Sequence, residues 1–273
     1  MINPNDLRPT TLAGLKRKSK TLAKVNSIPL NAAQEMAAQQ CGYSNFNHAR
    51  KVLALATPPK FSIEFIHRWR DRKIGAFGTE TLHFELRRDL MDFPTRWYNQ
   101  FAYIDAKRER PNKMVGEYLA DTQSSARMFA CREARSIQFA DATGLKRAAA
   151  TRANKIRKRI PYDGLDHVLS WEHPDTKQVM IIDQPYTALP KATEDAWIVE
   201  RRNACAEAGL LFIQPSWDGI YWPDGGCGFY LIVDQKDQSF AERVVADLDQ
   251  YEPAIIEDDA NIVSEVRKLP IRA

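Results

Sequence analysis

A chain of 273 residues, 44% apolar and 27% charged, has the length of roughly two domains and a globular composition, which excludes a fibrous repeat and wholesale disorder. No stretch approaches the roughly 18 apolar residues of a membrane span, and the first residues have no signal-peptide core, so we expect a cytoplasmic protein without membrane contact. The cysteines form no Cys-x-x-Cys pair, so we expect reduced thiols and no structural zinc. Its net charge of +4 conceals a strong asymmetry, because residues 1–160 hold 30 Lys or Arg and 14 Asp or Glu, whereas residues 161–273 hold nine and 21. Either the basic part binds an external polyanion, or the two parts neutralise each other within the fold.

Residues 1–59 are predicted to form a small basic module of three helices. The first helix is amphipathic, with apolar residues near helical spacing at Leu12, Leu15, Leu22 and Val25. Its cations, among them Lys16 and Lys20, lie elsewhere around the helix. The prolines within residues 57–59 cannot continue a helix, so this segment is predicted to be a linker.

The second and third helices of the module have recognisable end signals. One follows Pro29, with Asn31 as its N-cap, and stops at Gly42. The next begins at Ser44 or Asn45. Its inward side chains are predicted to be Phe46, Ala49, Val52 and Leu53.

The run LKRKSKTLAKVNSIPLNAAQEMAAQQCGYSNFNHARKVL, residues 15–53, resembles a glyoxalase-related helical module found at the front of many bacterial proteins. With RPTTLAGLKR before it and FIHRWRDR after it, the whole chain is similar to an uncharacterised family from plasmids and integrative elements, most clearly over residues 8–75. That resemblance implies a bacterial, cytoplasmic, mobile-element setting and brings no activity with it.

A helix, a Gly-containing turn and a helix are also the layout of a helix-turn-helix, whose second helix reads the major groove. In that interpretation the third helix presents four side chains to DNA: Asn47, His48, Arg50 and Lys51. The alternative, which we favour, is a packed three-helix cap.

Residues 60–273 are predicted to form one α+β domain, basic over 60–160 and acidic over 161–273. It opens with two alternating stretches, FSIEFIHRW and TLHFELRR, joined as a hairpin by a glycine-containing loop. Their alternation places His67 on the apolar face, as a hydrogen-bonded core histidine, and His83 on the polar face, so the two do not share a metal. The polar face is predicted to gather three cations: Arg68, Arg70 and Arg87.

Helices are predicted for residues 95–107, 113–140 and 145–160. The third has an inward stripe formed by Leu145, Ala149, Ala153, Ile156 and Ile160. Its surface cations are Lys146, Arg147, Arg152, Lys155, Arg157, Lys158 and Arg159. Such a density can neutralise phosphates with release of counterions, and the competing interpretation is that the acidic last third packs against this helix.

The last third alternates strand pairs with helices, one of them over residues 193–208. A final helix is predicted to open at Ser239 with Glu242 in a capping box. Together with the first hairpin, this predicts an α+β fold of strand-strand-helix units with a mostly antiparallel sheet, behind the small helical module.

A long loop, PSWDGIYWPDGGCG, separates the last two predicted strands of this region. Its aromatic residues Trp217, Tyr221 and Trp222 can form a stacking platform for a base or a sugar, or can bury the turn of a hairpin. No phosphate loop, metalloprotease or nucleophile-elbow motif is present.

Two hypotheses of function follow. The first, which we favour, is a non-catalytic nucleic-acid-associated accessory protein of a mobile element, binding DNA or RNA mainly through phosphates, with no cofactor, metal or catalytic residue. The second is an enzyme or toxin-like effector with a cleft near the loop of Trp217 and Trp222. A weaker alternative is a protein-interaction module that recruits a protein partner.

Overall fold

A computed structural model describes Pro9 and residues 12–55, 60–93, 106–186, 191–223, 226–258 and 260–268. Over this part of the chain the fold is α+β, as predicted. Its helices are α1 (Leu12–Asn26), α2 (Leu30–Gln40), α3 (Phe46–Leu55), α4 (Gln123–Thr143), α5 (Ala150–Arg157), α6 (Lys191–Glu207) and α7 (Gln238–Asp249). Its strands are β1 (Phe61–Asp71), β2 (Ala76–Leu86), β3 (Ala106–Arg110), β4 (Lys113–Ala120), β5 (Lys146–Arg147), β6 (Leu169–Glu172), β7 (Val179–Asp183), β8 (Leu210–Ile213), β9 (Tyr230–Asp234) and β10 (Asn261–Lys268).

The three N-terminal helices pack around a small core of their own. Its buried members are Leu15, Ala37, Ala38, Cys41, Ala49 and Leu53. Val25 and Val52, predicted to face inward, are 71% and 41% exposed, because each lies at the edge of its apolar stripe. Of the two predicted caps of α3, Asn45 is the one in place, its Oδ1 accepting from the His48 N–H at 2.7 Å. Helix α2 begins directly after Pro29, so the predicted Asn31 N-cap is wrong.

The predicted hairpin is confirmed, with β1 and β2 in register from Phe61 opposite Leu86 to Asp71 opposite Ala76. They belong to sheet A, whose strand order is β10-β2-β1-β4-β3, with β1 and β4 parallel and the other pairs antiparallel. The last strand of the acidic segment therefore completes a sheet that begins in the basic segment.

The helix predicted for residues 113–140 is wrong in its first part. Residues 113–120 form β4, because their apolar side chains pair with β1 across a parallel ladder, a contact with no local sequence signal. Helix α4 begins only after Thr122, whose Oγ1 accepts from the Ser125 N–H at 3.1 Å. Of the helix predicted for residues 95–107, residues 95–105 lie outside the described residues, and residues 106–107 open strand β3.

Helix α4 lies between the two sheets and is the centre of the fold. One side of it packs on β1 and β2, and the other side shares a large core with sheet B, whose strand order is β5-β6-β7-β9-β8 and whose pairs are all antiparallel. On the far face of sheet B, a second core packs α5 and α6 against β7, β8 and β9. Nearly every residue of α4 after Ala130 is buried, including the charged Arg132, Glu133 and Arg135.

The predicted helix over residues 145–160 is also corrected. Lys146 and Arg147 form β5 and pair with β6, so the helix shrinks to α5. Ala149, expected in its inward stripe, is exposed at the N-cap position. In the last third, α7 follows a 3-10 turn and takes Asp237 as its N-cap, which places Ser239 inside the helix and overturns the capping box.

His67 and His83 lie on opposite faces of sheet A, as predicted. His67 is fully buried under α4, against Gly116 and the rings of Phe65 and Phe129. Neither ring nitrogen has a hydrogen-bond partner among the described residues, so the expected hydrogen bonding of this histidine is wrong. Burial, followed by the charge of Arg68, lowers its pKa to about 4.

Candidate nucleic-acid interface

The helical module presents a row of lysines on α1. Lys16, Lys20 and Lys24 are exposed and follow each other at intervals of four residues, which places neighbouring Cβ atoms about 6 Å apart on one side of the helix. None of the three forms an ion pair with a described carboxylate. We call Lys16, Lys20 and Lys24 the α1 stripe.

Helix α3 adds a second polar surface to the module. The four residues that the helix-turn-helix interpretation aims at DNA, Asn47, His48, Arg50 and Lys51, are all exposed. Arg50 donates to the Asn47 Oδ1 at 2.9 Å, and Nδ1 of His48 lies 2.9 Å from the Ser44 Oγ. Lys51 forms no ion pair with a described carboxylate. The geometry leaves Arg50 and Lys51 accessible and gives His48 a local structural role at the start of α3.

A buried arginine anchors the module to the rest of the chain. Arg17 is only 6% exposed, although it lies within the most basic run of α1. Its Nη2 donates to the main-chain oxygens of Asp249, at 2.8 Å, and of Tyr251. Desolvation lowers the pKa of this guanidinium despite the nearby carboxylates of Asp249 and Asp218. This anchor fixes which side of α1 faces solvent.

Much of the basic run 145–160 is neutralised inside the fold. Arg152 donates to both carboxylate oxygens of Glu172, and the Lys146 Nζ lies 3.4 Å from the same carboxylate. Arg159 pairs with Asp234. Lys146 and Arg152 are therefore only half-exposed, which corrects their expected exposure, whereas Arg159 is exposed as expected although it is paired. Because Glu172 and Asp234 belong to the acidic third, all three cations are neutralised within the fold.

Burial alone raises the pKa of Glu172, but hydrogen bonds from Arg152 and from the Ala149 N–H outweigh it and hold the pKa below its ordinary value. Arg147 packs with its guanidinium 5.7 Å from the centre of the Trp171 ring. Three cations of the run remain exposed without a described carboxylate partner: Lys155, Arg157 and Lys158. We call these three the α5 set.

The cations predicted for the hairpin do not share one surface. Arg68 and Arg70 are exposed on the outer face of sheet A, the face away from α4. Arg87 lies beyond the end of β2, with its guanidinium 4.5 Å from the centre of the Tyr251 ring and a hydrogen bond to the Gln250 carbonyl oxygen. It therefore holds the C-terminal segment and does not lie beside the other two.

The loop that carries Trp217, Tyr221 and Trp222, here called the aromatic loop, is mostly structural. Trp217 is 2% exposed in the main core, with its Nε1 donating to the Glu252 carbonyl oxygen at 2.9 Å, so it offers no ring face to a ligand. Tyr221 is covered by the His167 ring, at 3.3 Å between centres, and by the Arg132 guanidinium, 3.7 Å from its centre. Trp222 is the exposed member of the three, at 45%.

A cleft of about 620 Å³ separates α1 from this loop and α7. Its lining combines Lys18 and Lys24 with Glu194, Asp218 and Asp249. The Cys227 thiol also lines it, and burial raises the pKa of that thiol to about 11, which opposes a thiolate nucleophile. The cleft thus has mixed charge, and its one thiol is not activated.

Neither a metal site nor a membrane span emerges from the described residues. No three of their His, Cys, Asp or Glu side chains gather as a metal ion would require. None of the helices in that part of the chain combines the length and apolar character needed to cross a bilayer. Comparison of the chain with protein-family models, curated proteins and solved structures gave no match.

Proposed function

We propose that this chain is a non-catalytic nucleic-acid-binding accessory protein that holds backbone phosphates with its helical module. The observation that supports the proposal is the unbalanced charge of the module's surface. Residues 12–55 hold seven Lys or Arg and a single carboxylate, Glu35, which accepts from the Phe46 N–H at 2.9 Å. The α1 stripe and Lys51 are left without a described carboxylate partner, in contrast to the neutralised cations near Glu172.

Phosphates are the ligand class that this surface suits. Lysine is a flexible point charge, and a row of lysines about 6 Å apart neutralises successive charges of a polyanion without reading its sequence. Binding of this kind releases counterions, so affinity falls steeply as salt rises. The proposal covers DNA and RNA alike, and the mobile-element setting within it depends on the sequence resemblance alone.

A salt titration tests the proposal. The full-length protein is titrated against a labelled duplex and a labelled single strand between ~50 and ~200 mM salt, beside a variant in which Lys16, Lys20 and Lys24 are all replaced by Glu. We expect the wild type to bind both probes, and the variant to bind the duplex at least tenfold more weakly with a log–log salt slope reduced by about 2 to 3.

The α5 set supplies a control with the same change in charge. Replacing Lys155, Arg157 and Lys158 by Glu alters net charge equally at another surface. The neighbouring cations Arg152 and Arg159 are already paired there with Glu172 and Asp234, so we expect a clearly smaller loss of affinity. Equal losses of affinity in the two variants would show that the net charge of the protein determines binding and that the position of the cations on the helical module does not. A wild-type protein that retains neither probe at low salt contradicts the proposed function.

A further inference from the structure

An aromatic residue flanked by two arginines lies across three strands of sheet A. Phe77 of β2 is directly opposite Arg70 of β1 on one side and Arg267 of β10 on the other. Their chain neighbours Trp69 and Ala76 are buried towards α4, so strand alternation directs this row to the outer face. Both arginines are exposed, and neither forms an ion pair with a described residue.

The same row lines a concave site of about 480 Å³, within the size range of small-ligand pockets. Its charged lining consists of three cations, Arg68, Arg70 and Arg267, and one carboxylate, Glu265. Gly78 forms part of the lining, where a Cβ would lie 1.9 Å from the Glu265 carbonyl oxygen and 3.1 Å from Cζ2 of Trp69. Glycine thus permits the close approach of β10 to β2 that brings Arg267 beside Phe77.

We infer that this site binds a nucleotide unit of a single-stranded nucleic acid, with the base stacked on Phe77 and the flanking phosphates on Arg70 and Arg267. Cross-strand neighbours lie about 5 Å apart, so one ring and two guanidinium groups can serve one nucleotide and its neighbours. The net positive lining complements phosphates, and an aromatic ring stacks on any base. In a duplex the faces of the bases are already stacked, so the site selects single strands.

The inference rests on the proposed function but uses a surface separate from the α1 stripe, which makes it testable by itself. The full-length protein and the variants Phe77→Leu and Phe77→Tyr are titrated with a labelled 12-nucleotide single strand and a labelled 12-base-pair duplex. Leucine keeps an apolar side chain without a π-face, so we expect about tenfold weaker single-strand binding, unchanged duplex binding, and near wild-type affinity with tyrosine.

Two further variants complete the test. Val263→Ala changes an exposed apolar residue on the same outer face and should leave single-strand affinity unchanged. Joint replacement of the exposed Arg70 and Arg267 by Gln, which avoids any loss of apolar packing at Phe77, should lower the single-strand salt slope by about 1.4.

The outcomes separate the two proposals. The inference would be overturned if Phe77→Leu and the arginine double variant bound the single strand as tightly as Val263→Ala does. That result would not affect the proposed role of the α1 stripe. Loss of single-strand affinity in these variants would support the inference. Duplex binding that is unchanged when Lys16, Lys20 and Lys24 are replaced by Glu would contradict the proposed role of the helical module. A wild-type protein that binds no single strand overturns the inference directly.

Discussion

Arg152 donates through Nε and Nη2 to the two carboxylate oxygens of Glu172, at 2.7 and 2.8 Å. The two residues belong to segments of opposite net charge, so their pairing explains part of the asymmetry along the chain. Lys146 and the Ala149 N–H complete the surroundings of the same carboxylate. The charge pattern thus has two causes, because some cations close the fold and others face solvent on the module and at the end of α5.

Replacing Glu172 by Gln should destabilise the protein by about 1 to 3 kcal/mol, less than a fully buried ion pair because its partners are partly exposed. The depressed pKa of Glu172 adds a pH dependence: its stabilisation is present above the unfolded pKa near 4.5 and is lost as pH falls through the lower folded value. Urea unfolding at pH 7 measures the first effect, and the difference between variant and wild type at pH 7 and at pH 3 measures the second. The exposed Glu207→Gln on α6 serves as the control, and equal stability of the two variants at pH 7 would refute the structural role of the pair.

Charge reversal of the α5 set should leave the fold nearly as stable as the wild type, because Lys155, Arg157 and Lys158 make no ion pair with a described residue and surface changes usually cost under about 0.5 kcal/mol each. Thermal melting of the triple Glu variant tests this. Replacing Arg159 alone by Glu should lower the melting temperature, because Arg159 pairs with Asp234. A triple variant that melts below the Arg159 variant would mean that the set also closes the fold.

How far the sequence predicts this structure depends on the range of the contacts. The β1–β2 hairpin was predictable because its alternation and turn are local, and so was the Asn45 cap. Strand β4 was not, because its pairing with β1 is parallel and spans some 50 residues of chain. The Thr122 cap is a local signal that could have shown where α4 begins.

The range of the contacts also decides which candidate sites could be predicted from the sequence. The α1 stripe follows from helical spacing alone, although the burial of Arg17 within the same run depends on contacts with residues more than 230 positions away. The row formed by Arg70, Phe77 and Arg267 could not be predicted from the sequence, because it depends on the pairing of β10, near the C-terminal end, with β2.

His67→Leu should raise stability at pH 7 and remove an acid-induced loss. Both ring nitrogens are buried without a described partner, and an apolar side chain of similar volume avoids that desolvation. Because the folded pKa of about 4 lies below the unfolded value near 6.5, wild-type stability should fall by up to about 3 kcal/mol as pH drops through that window.

Urea unfolding from pH 7 to pH 4 follows this change, with His83→Gln on the opposite face of sheet A as the control. The control should keep the acid-induced loss, because it leaves His67 in place. A His67→Leu profile as steep as that of the wild type would show that His67 has a proton-binding partner or an ordinary pKa.

Arg135 should be among the most sensitive positions of the chain. Its side chain is fully buried in α4, with Nε donating to the Ile220 carbonyl oxygen at 2.6 Å, Nη2 to that of Tyr221 at 2.9 Å and Nη1 to that of Ile255 at 2.7 Å. One guanidinium therefore ties the aromatic loop and the C-terminal segment to the central helix. Lysine cannot replace this planar fork, and Arg135→Lys leaves a buried charge together with carbonyl oxygens that lack donors.

We expect Arg135→Lys and Arg135→Met to lower the free energy of unfolding by about 3 to 5 kcal/mol, with lysine at least as harmful as methionine because its charge stays buried. The exposed Arg202 on α6 provides the matched control, and Arg202→Lys should cost under about 0.5 kcal/mol. Urea unfolding gives the free energies. Near-ultraviolet circular dichroism should also change in the Arg135 variants, because Tyr221 stacks on His167 within the tethered loop. An Arg135→Lys protein within about 1 kcal/mol of the wild type and with an unchanged spectrum would show that the loop is held by other contacts, such as the Arg132 Nε donating to the Tyr221 carbonyl oxygen at 3.0 Å.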